Sequence, residues 1–171
     1  MSSGGGSVPK QIPVQADAFS VSRDGACLLV ADLNAALAVC VHDDTQGAGG
    51  LLHLRYVATS NDQPLDLTDN TLSSDLLLMD RFCKELRTFG ARKQSWRVTI
   101  LGHIPDKPGM ELPAATVLDL VKAYFSEGRF AVECKESRRA SGMRVRMDPR
   151  EGRIWVDGVA GQISRGPGVK A

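Results

Sequence analysis

The stretch from Cys27 to Tyr56, CLLVADLNAALAVCVHDDTQGAGGLLHLRY, most constrains what this chain can fold into. It holds three apolar runs, Cys27 to Val30, Ala35 to Val41 and Leu51 to Leu54. The second and third are separated by the turn formers Asp43-Asp44-Thr45-Gln46-Gly47-Ala48-Gly49-Gly50, so the pattern reads as strand, turn, strand, Gly-rich turn, strand. The runs are continuous rather than alternating. Strands of that kind are buried on both faces, so the fold must supply a layer on each side of them.

The rest of the chain supplies those layers. Val14 to Val21 is weakly extended, and Ser22-Arg23-Asp24-Gly25 reads as a hairpin turn into the Cys27 strand. Residues 59–72 are polar and read as a loop. A helix opens at Ser73 or Ser74, with Leu76, Met79, Cys83 and Leu86 at helical spacing, Leu78, Phe82 and Phe89 beside them, and Gly90 past its end. Asp75, Asp80, Lys84, Glu85 and Arg87 mark its wet side. Trp96 to Gly102 is a strand, and His103 to Gly109 a loop. A second helix opens at Leu112-Pro113, with its stripe on Val117, Leu118, Val121, Tyr124 and Phe125. Arg129 to Lys135 and Met143 to Met147 alternate as strands, and Asp148 to Gly152 turns the chain into a last strand to Asp157. Strands, helix, strand, helix and strands in that order predict an α+β fold, a mostly antiparallel or mixed β-sandwich core flanked by two main helices. One domain is expected over residues 13–158, with a disordered Gly/Ser-rich tail over 1–12 and a flexible tail over 159–171.

Composition narrows the function classes. The net charge of +1 gives no support to a general nucleic-acid or membrane-surface binder. No apolar run approaches the roughly 20 residues needed to span a bilayer, and MSSGGGSVPK has no secretory apolar region, so a cytoplasmic protein is expected. The four cysteines, Cys27, Cys40, Cys83 and Cys134, form no CxxC pair and read as reduced, mostly buried thiols. No zinc spacing is present, and no metal or cofactor is expected.

Four features carry possible chemistry. Gly47-Ala48-Gly49-Gly50 leads into a strand rather than a helix, unlike a phosphate loop. Asp43-Asp44 reads as a solvated pair in a turn. Lys135, Arg138, Arg139, Arg144, Arg146, Arg150 and Arg153 form the densest charge cluster; Arg144 and Arg146 share one strand face, a candidate surface for an acidic partner. Of the three histidines, His42 precedes a turn and reads as exposed, His103 ends a strand, and His53 lies inside an apolar run. His53 is catalytic only if a nucleophile is held beside it.

Asn34-Ala35-Ala36-Leu37-Ala38-Val39 followed by Gly49-Gly50-Leu51-Leu52-His53 matches a pattern of a Thr-containing strand, Gly-Ser-Cys-Val-Ala-Val, a turn and Gly-Gly-x-x-His. The likeness continues through Lys84-Glu85-Leu86-Arg87-Thr88-Phe89-Gly90-Ala91-Arg92, and through Gly142-Met143-Arg144-Val145 to Asp148-Pro149-Arg150-Glu151-Gly152-Arg153-Ile154-Trp155-Val156. With these motifs the chain resembles the CheD family, the chemoreceptor glutamine deamidases of bacterial and archaeal chemotaxis. The resemblance implies His53 as the retained catalytic histidine, but it places Ala36 at the nucleophilic Cys and Val30 at the orienting Thr. A thioester route needs a thiolate, and alanine offers none. The resemblance thus implies an inactive binding or regulatory module, with chemoreceptor cytoplasmic helices or a CheC-like phosphatase as partners. Its alternative is an active protein-glutamine deamidase with a relocated nucleophile. Cys40 lies ~13 Å along the strand from position 36, too far to serve, which leaves Cys27.

Overall fold

The computed structural model describes residues 8–56, 70–89, 96–105, 108–126, 131–137, 142–158 and 163–165. In chain order the elements are β1 (Lys10–Pro13), β2 (Ala18–Ser22), β3 (Cys27–Leu33), β4 (Ala36–Asp43), β5 (Ala48–Arg55), α1 (Asn70–Thr88), β6 (Trp96–His103), α2 (Glu111–Ser126), β7 (Ala131–Ser137), β8 (Met143–Met147), β9 (Ile154–Gly158) and β10 (Ile163–Arg165). They form two five-stranded sheets, ordered β1-β3-β8-β9-β10 and β2-β5-β4-β6-β7. Pairing is antiparallel except for β1 with β3 and β6 with β7. This is the α+β sandwich flanked by two helices that the sequence pattern predicts.

Strand β4 shows why its run is continuously apolar: all eight of its residues are buried. Ala36, Ala38 and Cys40 face the other sheet, in a core shared with Leu29, Ala31, Leu33, Leu51, Leu101, Val145 and Met147. Leu37, Val39 and Val41 face the helices, with Leu52, Leu54, Met79, Phe82, Leu86, Val121 and Phe125. Small side chains thus occupy the sheet-to-sheet face and large ones the sheet-to-helix face. Each fully buried Leu or Val contributes about 1.5–3 kcal/mol. The glycines of β5 serve helix packing: a Cβ on Gly50 would lie 2.6 Å from the Phe82 ring and 2.7 Å from Val21, so α1 closes onto bare backbone there.

Several expectations need correction. Ser22 to Gly25 does not close a hairpin, because β2 and β3 belong to different sheets. The Asn34-Ala35 turn likewise carries the chain from one sheet to the other. Strands β1 and β10 fall inside the spans read as tails, since Lys10–Pro13 pairs with Cys27–Val30 and Ile163–Arg165 with Trp155–Asp157. Helix α1 begins at Asn70, earlier than Ser73. Its wet and dry sides are also partly exchanged: Asp75 is 5% exposed, whereas Leu76 and Leu77 are 39% and 54% exposed. Asp75 is in phase with Met79, Phe82 and Leu86, so the helix turns it inward. Of the loop read over 59–72, residues 70–72 are helix α1 and 59–69 lie outside the described residues, as do Arg138, Arg139 and the side chains of Cys134 and Lys135.

Candidate functional site

His53 and Val30 are brought to one place by backbone. His53 lies opposite Ala38 on β4 and Ala18 on β2, facing the inter-sheet core. Its Nδ1 is 2.9 Å from the Val14 carbonyl, which can only accept, so Nδ1 carries the proton. The Val14 N–H donates in turn to the Val30 carbonyl at 2.7 Å, and the Asp17 N–H to the His53 carbonyl at 2.7 Å. The histidine therefore ties the chain after β1 to both sheets.

Ala36 lies one register step from Ala38, fully buried, opposite Arg55 and His103. Neither Cys40 nor Cys27 fills the place of the missing nucleophile. Cys40 is buried on the same face, and burial pushes its thiol up to about 12, which keeps it protonated. Cys27 lies at the far end of β3, with its Sγ 3.2 Å from the Asp24 carbonyl. Neither Cys27 nor Cys40 makes a Cys-His hydrogen bond among the described residues.

One of the two left-handed non-glycine residues among the described residues lies in the turn between β3 and β4. Ala35 has φ of 53°, a left-handed conformation that costs a non-glycine residue roughly 1–2 kcal/mol. It is held from two sides: its N–H donates to His103 Nδ1 at 3.2 Å, and its carbonyl accepts the Tyr56 N–H at 2.9 Å. Such strain persists only where the surroundings over-determine it, and it concentrates at functional sites.

A cleft of about 370 Å³ opens beside this turn, lined by Asp32, Leu33, Asn34, Gly142, Met143, Arg144 and Asp157. The strand register sets Asp32, Arg144 and Asp157 in one row across β3, β8 and β9. Arg144 grips Asp32 with Nε at 2.6 Å and Nη2 at 3.3 Å. That hydrogen bond, and then the Asp32 charge, holds the Arg144 guanidinium above its ordinary range. Arg146 donates from Nη2 to Asp157 Oδ2 at 2.8 Å. Arg146 Nε and Asp157 Oδ1 are buried without partners. Of the two arginines read as a partner surface, Arg144 is exposed at the cleft, while Arg146 is half-buried and engaged with Asp157.

His42 is buried, not exposed as its sequence position suggests. Its Nδ1 meets Asp44 Oδ1 at 2.9 Å and its Nε2 donates to the Arg150 carbonyl at 2.8 Å. Asp44 also accepts from Arg97 Nη2 at 2.8 Å. Asp43 is fully buried, and its Oδ1 accepts from Thr45 N–H at 2.9 Å and Thr45 Oγ1 at 2.6 Å. The Asp43-Asp44 pair is therefore a built turn rather than two solvated charges. Among the described residues no three or more His, Cys, Asp or Glu side chains converge as a metal site, and no helix is long and apolar enough to cross a membrane.

Sequence reasoning missed Asp75, Asn34, Asp157 and the grip of His103 on Ala35. For Asp75 a signal existed in its phase with Met79, Phe82 and Leu86. For Asp157 none did, because its importance lies in strand register.

No protein-family model matches the sequence, and no curated protein matches it. Solved structures do. Neisseria meningitidis protein NMB0706 of family DUF152 is 9% identical, with 88% of this chain and 76% of that one covered and a TM-score of 0.54. Bacillus licheniformis YfiH is 9% identical at a TM-score of 0.48, with 68% and 49% covered. Geobacillus stearothermophilus YlmD is 13% identical at 0.46, with 78% and 61% covered. The chain thus spans about half the length of the Bacillus licheniformis protein. At this identity the likeness shows the fold alone, and the Neisseria protein carries it. The fold likeness runs to the Neisseria DUF152 protein and not to a chemoreceptor deamidase. The expectation of a chemotaxis protein of the glutamine-deamidase type is corrected by this likeness.

Proposed function

We propose that this chain is a ligand-binding protein whose site is the charged cleft at the β3–β4 turn, and that its ligand is a small zwitterion. The observation that carries the reading is Asp157. One carboxylate oxygen is held by Arg146, while the other is buried with no partner among the described residues, in a side chain that lines the cleft. An unpaired buried acceptor costs about 1–3 kcal/mol, which a ligand ammonium reaching Oδ1 would recover. Arg144, in the same row, supplies the opposite charge. Its pair with Asp32 is exposed, and such pairs are worth at most about 1 kcal/mol, so a ligand carboxylate exchanges with Asp32 at little cost. The strained Ala35 holds the turn open beside these groups without further reorganisation. With alanine at position 36 and His53 Nδ1 engaged by Val14, binding proceeds without covalent chemistry.

A two-dimensional amide NMR titration with glycine, β-alanine and γ-aminobutyrate tests this. Shifts confined to Asp32, Asn34, Gly142, Met143, Arg144 and Asp157 support the reading. Equal shifts from propionate or propylammonium alone contradict it.

A further inference from the structure

Asp75 is the one carboxylate that α1 turns inward among the described residues, and a cavity lies in front of it. A cavity of about 440 Å³ lies between α1 and the ends of β2 and β5, lined by Asp17, Arg55, Ser74, Asp75, Leu77, Leu78 and Arg81. Asp75 is 5% exposed and its Oδ2 has no hydrogen-bond partner among the described residues. Arg55 does not serve it, because its Nε and Nη2 are committed to Asp17 Oδ2 at 3.0 and 2.8 Å. Asp17 takes a φ of 60°, and its Oδ1 also lies 3.3 Å from the Arg55 N–H. Arg81 is exposed where it lines the cavity. The charges facing Asp75 are thus Asp17 and Arg55, which neutralise each other on the strand side, and Arg81 on the helix. Leu77, more than half exposed, and Leu78 give the cavity an apolar flank.

We propose that this cavity is a second binding site, for a small organic cation whose ammonium or guanidinium group pairs with Asp75 Oδ2 and whose apolar stem lies against Leu77 and Leu78. A buried carboxylate left without a partner is expensive. A donor that is itself cationic satisfies the oxygen and the charge together. A neutral alcohol satisfies only the first, and an anion is repelled by Asp75. The site is separate from the cleft at Asp157, stands without the zwitterion reading, and is read by different amides.

The test is a two-dimensional amide titration of the full chain with n-butylammonium, using n-butanol as the neutral isostere. At pH 7.5, butylammonium is expected to shift the amides of Asp17, Arg55, Ser74, Asp75, Leu77 and Leu78, and butanol to leave them in place. Burial, with Asp17 second, pushes Asp75 up to about 6. At pH 5.0 only about a tenth of it is ionised, so binding weakens about tenfold. In Asp75→Asn, which keeps the shape and removes the charge, binding is lost. The inference is overturned if butanol shifts the same amides as strongly, if Asp75→Asn binds as tightly as the parent chain, or if no amide responds at pH 7.5.

Discussion

His53 donates its Nδ1–H to the carbonyl of Val14 at 2.9 Å. That bond turns a residue that invites a catalytic reading into a structural tie. Val14 lies between sheets, bonded through its N–H to Val30 on one side and through its carbonyl to His53 on the other. His53→Ala orphans a buried carbonyl and opens a cavity between the sheets. The expected loss is roughly 2–4 kcal/mol, read from urea unfolding. His53→Gln, which still offers a donor, should recover part of it. A variant as stable as the parent would show that the tie carries no weight.

Asp75 sets a pH dependence of stability. Its carboxyl is pushed up to about 6 from the ordinary 3.8, by burial first and by Asp17 second. The folded protein therefore holds this proton more tightly than the unfolded chain does. The resulting stabilisation is complete below about pH 4 and is lost as pH rises through about 6. Asp75→Asn stays neutral throughout, so it should match the parent in acid and exceed it at pH 7.5. Allowing for solvent access, the gain is on the order of 1 kcal/mol, or about 2–4 °C in Tm. Thermal unfolding of both proteins from pH 4 to 8 reads the crossover.

His42 and Gly152 should be energetically coupled. Gly152 has φ of 78°, and a Cβ there would lie 2.5 Å from His42 Nδ1. Gly152→Ala is expected to cost roughly 2 kcal/mol through backbone strain and the clash. His42→Ala relieves the clash but leaves the Arg150 carbonyl without its donor. In a double-mutant cycle the two losses should sum to more than the double mutant shows.

Buried thiols should be unreactive. Cys27, Cys40 and Cys83 are all buried, and Cys40 is pushed up to about 12 by burial. Iodoacetamide at pH 8 should leave Cys40 unmodified in the folded protein and label it in urea, as mapped by mass spectrometry. Rapid native labelling would overturn the placement of β4 between two covered faces.

The legibility of this chain followed its periodicities. Met143, Val145 and Met147 alternate because β8 buries one face, and that is visible in sequence. The continuous run of β4 correctly signalled two covered faces, yet nothing local shows that Asn34-Ala35 crosses from one sheet to the other. A two-residue link between apolar runs reads the same whether the strands pair or part. His42 reads as exposed because it precedes two aspartates, but its partner, the Arg150 carbonyl, is more than a hundred residues away in sequence. The charged cleft was half visible: Arg144 and Arg146 stand out on one strand, whereas Asp32 and Asp157 join them only through sheet register. The motif-level resemblance rested on an order of strands and turns, which sandwich folds can share without sharing chemistry.

The central claim, a zwitterion site at the β3–β4 turn, is tested most directly by calorimetric titration of β-alanine into the parent chain and into Asp157→Asn. The account predicts saturable binding to the parent and at least a tenfold loss in the variant, because the amide can no longer accept the ligand ammonium as an anion does. Binding of equal strength to both proteins, or heat from neither, would contradict it.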